Sequence, residues 1–282
     1  MRWTPGGSDE DVEDRRDSSG GGGFGGIHLG IGGIIIVAIL SLVFHRNFFT
    51  LLSSNSSAPA GATQSQPRAG QDAAEKPLVE FVTFVLNDTQ ATWSKILADR
   101  GTRYRHAKLV LFRDSIDSAC GMAQSASGPF YCPGDEKVYI DLGFYTELQQ
   151  RFGAPGQFAE AYVLAHEMGH HIQNLLGIES KVMEARQANP RLESKFSQQL
   201  ELQADCFAGI WAHTTEQRNL LESGDLDSAL GAAAAVGDDR LQKMSTGQVN
   251  PDTFTHGSSA DRKAWFQRGF TGGTIDGCNT FQ

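Results

Sequence analysis

Residues 158–177 read "FAEAYVLAHEMGHHIQNLLG", and the reading of this stretch decides what the chain is. Phe158, Ala161, Tyr162, Ala165, Ile172 and Leu176 recur at helical spacing, which predicts an amphipathic helix closed by Gly177. Set into it are His166, Glu167, His170 and His171. Polar groups in a buried helix need partners, so this cluster needs a reason. Residues four apart stand one above the other, so His166 and His170 can aim their ring nitrogens at a single ion. Glu167 is offset by one position, which keeps it off the ion but within reach of a water that the ion binds. Zinc lowers the pKa of such a water to about 7, and Glu167 can then take its proton. His171 follows His170 by about 100° around the helix and should point away from the ion, as a polar residue on the flank.

A hydrolytic zinc keeps three protein ligands and one open position. The third ligand is expected in the next long helical stretch, "LELQADCFAGIWA". There Glu201 and Asp205 lie one turn apart amid apolar neighbours. Glu201 can complete a two-histidine, one-glutamate site. Asp205 can accept the free ring N–H of a ligand histidine, fixing its tautomer. His256 precedes a helix with cap signals at Ser258 and Ser259, and a loop histidine there can serve as an oxyanion or leaving-group contact. His28, His45, His106 and His213 receive no role.

Outward from these motifs, the composition sets limits. The net charge of -9 is the wrong sign for a chain whose main partner is a phosphate backbone, so nucleic acid is excluded as a partner. Cys120, Cys132, Cys206 and Cys278 form no CxxC pair, and their even number suits two disulfides. Cys120 and Cys132 bracket a short turn-rich stretch, which leaves Cys206 for Cys278. Disulfides imply an oxidising compartment.

Residues 1–26 are glycine-rich and charged and are expected to be a disordered cytoplasmic tail. Residues 27–44, "IHLGIGGIIIVAILSLVF", approach the roughly 20 apolar residues that a bilayer-spanning helix needs, and are expected to be one transmembrane anchor. A cleavable leader would carry its small-residue site nearer than "SAPAGA" at 57–62, so the anchor reads as uncleaved. Arg2, Arg15 and Arg16 before the run favour a cytoplasmic N-terminus. Residues 45–76 have the Ser, Ala, Gln and Pro content of a flexible linker, and the folded domain, 77–282, is expected to open near Pro77. Within it, "AKLVLF" and "KVYIDLGFY" read as strands and most of the rest as helix: about 157–176, 191–221 and 225–236. The fold class expected is α+β, mainly helical, with a small β-sheet.

Beyond these local readings, the chain resembles the neutral zinc metallopeptidases of the bacterial YpfJ type. The blocks "VEDRR", "GPFYCP", "VYIDLGFY", "HEMGHHIQ", "ELQADCFAG", "GDDRLQ" and "THGSSADR" carry the likeness, in that order. The resemblance implies a zincin-like core with His166, His170 and Glu201 on zinc, Glu167 as base and Asp205 behind a ligand histidine. It also implies that "VYIDLGFY" is the edge strand along which substrate lies. The function expected is therefore a zinc-dependent hydrolase that cleaves amide bonds in a peptide or protein substrate. It would sit in the bacterial inner membrane as a single-pass protein, with its catalytic domain on the periplasmic or extracellular side. Two alternatives share the site: a catalytically idle scaffold binding envelope proteins, and a zinc amidase acting on cell-wall peptides. The intact Glu167 argues against the scaffold, which has no need of a base.

Overall fold

The computed structural model describes residues 1–17, 69–124 and 128–281. The elements, in chain order, are β1 (Val12–Asp14), α1 (Ala69–Asp99), β2 (Lys108–Phe112), β3 (Ser115–Ser118), β4 (Gly121–Gln124), β5 (Phe130–Cys132), β6 (Lys137–Asp141), α2 (Gly143–Gln150), α3 (Gln157–Leu175), α4 (Ile178–Ala188), α5 (Glu193–Gln217), α6 (Asp225–Ala235), α7 (Asp238–Thr246) and α8 (Ser259–Gly272). The fold is α+β and mainly helical.

Four strands form a sheet in the order β1-β2-β6-β5. β1, β2 and β6 run parallel, and β5 runs antiparallel to β6. β2 is apolar on both faces, as a strand covered on both sides must be. One face, with Leu109, Leu111, Val138 and Ile140, packs into the main core with Phe81 and Val85 of α1 and Phe158 and Tyr162 of α3. The other face, with Val110, Phe112 and Tyr139, is covered by Ile116 and Ala123 of the β3-β4 hairpin. Both cysteine pairs form: Cys120–Cys132 ties the hairpin turn to β5, and Cys206–Cys278 ties α5 to the C-terminal segment.

Three expectations are corrected here. Residues 1–17 are part of the domain, not a disordered tail: β1 pairs with Leu109–Leu111, and the Trp3 ring lies 5.3 Å from Phe81 and 6.0 Å from Phe84. A three-residue strand inside a glycine-rich charged stretch leaves no periodicity to read. The folded domain does not open at Pro77, which lies inside α1, a helix already formed at Ala69. Arg113 holds these first turns through Asp72 at 2.6 Å and Glu75 at 2.5 Å, and Arg16 also reaches Glu75 at 2.6 Å. Finally, "VYIDLGFY" is not an edge. β6 lies between β2 and β5, its last residues turn into α2, and the edge on that side of the sheet is β5.

The expected span at 27–44 lies outside the described residues, and among the described residues no helix is long and apolar enough to cross a membrane. Paired strands cannot lie on opposite sides of a bilayer. A single crossing between Asp17 and Ala69 would separate β1 from β2, so a cytoplasmic tail joined by one span to an outer domain does not fit this fold.

α3 is buried almost all round and forms the centre of the helical layer. α5 crosses it at Gly169, where an added Cβ would stand 2.9 Å from the Ala204 carbonyl oxygen and 3.0 Å from its Cα. This contact brings Glu201 opposite His166. Gly169→Ala is expected to force the helices apart and cost about 1–3 kcal/mol, the usual range for overpacking, with looser metal binding although no ligand is altered. Thermal unfolding and metal titration of the variant check both effects, and an unchanged melting temperature would refute the close-approach argument.

Candidate metal centre and cleft

One candidate metal group is present among the described residues: His166, His170 and Glu201 offer ligand atoms all within 4.8 Å of one another. His166 Nε2 lies 3.2 Å from one Glu201 oxygen and His170 Nε2 lies 3.5 Å from the other. Each ring is held from behind by its other nitrogen. His166 Nδ1 is 3.0 Å from Asp205 Oδ1 and His170 Nδ1 is 2.9 Å from Gln173 Oε1. Gln173 is itself fixed, since its amide donates to the Leu200 carbonyl at 2.7 Å and to Gln203 Oε1 at 3.1 Å. Oriented rings with both Nε2 atoms converging on one carboxylate are the donor set that zinc takes.

The charges agree with that geometry. Burial alone would lower the His166 pKa, but Asp205 and Glu201 outweigh it and raise it to about 9. Burial likewise opposes the Glu201 carboxylate, yet His170 and His166 hold it well below the ordinary range. Glu201 is thus held as an anion between two imidazoles. A divalent cation at that point satisfies all three groups.

Glu167 lines the same cleft, which has a volume of about 550 Å³. Among the described residues no hydrogen bond or ion pair engages its carboxylate. His256 lines the cleft as well. Its loop is organised by the buried Asp238, whose Oδ2 accepts the backbone N–H groups of Thr255 and His256, each at 2.6 Å, and of Gly257 at 3.1 Å. Asp238 Oδ1 also meets His256 Nδ1 at 3.1 Å, which leaves Nε2 as the nitrogen that Asp238 does not engage. Burial works against a proton on His256, but Asp238 and Glu201 raise its pKa. The cap expected before α8 is present: Ser258 accepts from the Asp261 N–H.

His171 does not sit on a polar flank. It is fully buried, with Nε2 donating to the Arg105 carbonyl at 2.7 Å and Nδ1 facing the Tyr131 hydroxyl at 3.0 Å. Burial lowers its pKa, consistent with a neutral ring that donates at one nitrogen and accepts at the other. With Asn174, which donates to the same hydroxyl at 2.9 Å, it pins β5 to α3, and Phe130 and Tyr131 of β5 form one wall of the cleft.

Gln173, Asp238 and Arg262 were not singled out by sequence reasoning, and Tyr162 was read only as part of the apolar helix face. Tyr162 and Arg262 both converge on Asp205. Arg262 was legible in principle: a buried aspartate has two oxygens, a ligand histidine occupies only one, and the rest of its charge calls for a cation.

Two imidazoles on one helix and a carboxylate on a crossing helix, opening on a cleft with a glutamate that no hydrogen bond or ion pair engages among the described residues, form a three-ligand group compatible with a metal centre. The chain belongs to the family described as "Putative neutral zinc metallopeptidase", whose sequence model matches residues 1–281. The Escherichia coli K12 protein named "Uncharacterized protein YpfJ" is 44% identical over 286 residues, covering 100% of this chain and 99% of that protein. "Uncharacterized protein Rv2575" of Mycobacterium tuberculosis H37Rv is 40% identical over 232 residues, covering 78% of this chain and 76% of that protein. No solved structure matches the chain.

Proposed function

We propose that the protein is a zinc metallopeptidase with a zincin-like core, in which His166, His170 and Glu201 hold the ion and Glu167 is the general base. The observation that carries this reading is the meeting of three ligand atoms within 4.8 Å beside a cleft-lining carboxylate that no hydrogen bond or ion pair engages among the described residues. Zinc, when bound, polarises a substrate carbonyl and makes water a nucleophile at neutral pH. The chain's own residues do the rest. Glu167 takes the proton from the attacking water and returns it to the leaving amine. His256, fixed by Asp238, is a donor for the developing oxyanion or the departing nitrogen. Substrate peptide lies along β5, the edge strand bordering the cleft, where main-chain pairing gives register without sequence demands.

The domain is proposed to work outside the cytoplasm at the bacterial inner membrane. Two disulfides favour an oxidising compartment. The apolar residues 27–44 favour lipid contact. Because β1 is paired with β2, residues 1–17 are assigned to the same side as the rest of the domain.

The test uses the full chain, since residues 1–17 belong to the fold. Purified protein is expected to hold one zinc and to cleave members of a peptide library. The His166→Ala, His170→Ala double variant is expected to lose both metal and cleavage. Full zinc content in that variant would remove the proposed centre.

A further inference from the structure

Asp205 has no solvent exposure, so its charge must be met entirely by protein. Its Oδ1 accepts from the Tyr162 hydroxyl, in a short hydrogen bond, and meets His166 Nδ1 at 3.0 Å. Burial pushes the Tyr162 phenol well up, so it remains an O–H donor. A histidine that ligates a metal is neutral and cannot be the counter-charge of Asp205. The cation present is Arg262 of α8, itself 3% exposed. Its Nε donates to Asp205 Oδ2 at 2.8 Å and its Nη2 donates to Oδ1 at 3.0 Å, a fork matched to the carboxylate.

The same Nη2 also lies 3.3 Å from His166 Nδ1 and 3.4 Å from His166 Nε2. In the ring plane an atom this close to both nitrogens would collide with Cε1, which lies between them, so Nη2 lies toward the face of the imidazole and not on one lone pair. It therefore resists rotation of the ring about its Cβ–Cγ bond. Nη2 is also 3.3 Å from the Tyr162 hydroxyl, and Nη1 donates to the Val236 carbonyl at 3.4 Å, so the guanidinium is anchored on both sides.

We propose that Arg262 is a positioning residue for the metal: it fixes and neutralises Asp205 and backs the His166 ring, so that His166 Nε2 is aimed before an ion arrives. This inference rests on the proposed zinc centre. It assigns to α8, which supplies no ligand, the alignment of a ligand on α3. The charge alone is not sufficient. Lysine carries the charge but cannot present the planar fork or cover the ring.

The test is a double-mutant cycle on the full chain with Asp205→Asn, Arg262→Met and their combination, and with Arg262→Lys beside it. Zinc dissociation constants are read by chelator competition, and folding of the metal-free protein by circular dichroism. Arg262→Met is expected to weaken zinc by about 10 to 100-fold, the range found when a residue behind a ligand is removed, and Arg262→Lys is expected to restore little of it. Should Arg262→Met strand the Asp205 charge and fail to fold, the double variant removes both charges and keeps the comparison available. The double variant is expected to bind zinc more weakly than Asp205→Asn but by less than the product of the two single effects, because Arg262 acts partly through Asp205 and partly on the His166 ring itself. A double variant weakened by the product of two independent factors, or a folded Arg262→Met with wild-type zinc affinity, overturns the proposal. Wild-type protein that takes up no zinc would overturn the proposed function along with it, so the two failures are distinguishable.

Discussion

Glu167→Gln is expected to retain zinc and lose turnover by about 10² to 10⁴-fold, the usual worth of a positioned proton transfer. Glutamine keeps the volume and shape of the side chain in its largely buried position, so the helix and the cleft should survive. Glu167 is not among the three converging ligand groups, so metal content should not change. What the amide cannot do is accept the proton from the attacking water and pass it to the leaving amine. Glu201→Gln supplies the contrast. Glu201 stands between His166 and His170 at 3.2 and 3.5 Å, and exchanging its charge for an amide should lower zinc occupancy itself. Metal analysis with peptide cleavage on both variants separates the roles: metal kept and rate lost at 167, metal lost at 201. Wild-type cleavage by a zinc-loaded Glu167→Gln variant would assign the base to another residue.

The candidate centre was largely legible because its geometry is local. Two residues four apart on a helix must share a face, and Glu201 and Asp205 obey the same rule one helix later. What could not be read was the crossing of α3 and α5, which depends on Gly169 meeting the Ala204 backbone at a distance no other residue permits. The role of Arg262 was hidden for a similar reason: 57 residues separate it from Asp205, and only the packing of α8 on α5 closes that gap. His171 was misplaced because angular position on a helix tells which way a side chain points, not what covers it. The tethering of β5 by His171 and Tyr131 is a tertiary fact. The edge-strand error has another origin. A continuous apolar strand such as "KVYID" is the mark of a central position, and the true edge, β5, is three residues long and carries no alternation to detect.

Cysteines placed at Glu10 and at Lys243 are expected to react from the same side of the membrane. Among the described residues all four native cysteines are paired, so a membrane-impermeant maleimide applied to spheroplasts should mark only the introduced thiols. Both sites are exposed, Glu10 in the segment before β1 and Lys243 on α7. The expectation follows from what closes the interval between Asp17 and Ala69. On one side of it β1 is hydrogen-bonded to β2, and on the other α1 packs beneath the same sheet. Arg16 joins the two sides, with its guanidinium 2.6 Å from Asp14 and 2.6 Å from Glu75. Arg113 adds Asp72 and Glu75 from β2's own end and donates to the Arg16 carbonyl at 3.3 Å. Pulling the partners of such an ion pair apart costs about 3–5 kcal/mol where the remaining charge stays buried. The Trp3 contacts with Phe81 and Phe84 would be lost as well. An even number of crossings, including none, keeps all of these contacts, and an odd number breaks those that join residues 1–17 to the rest: the β1–β2 pairing, Arg16 with Glu75, Arg113 with the Arg16 carbonyl, and the Trp3 contacts. Labelling at both positions, or protection of both, agrees with the fold. Labelling of Lys243→Cys with protection of Glu10→Cys would mean that the chain crosses once and that β1 does not join the sheet in the membrane-held protein.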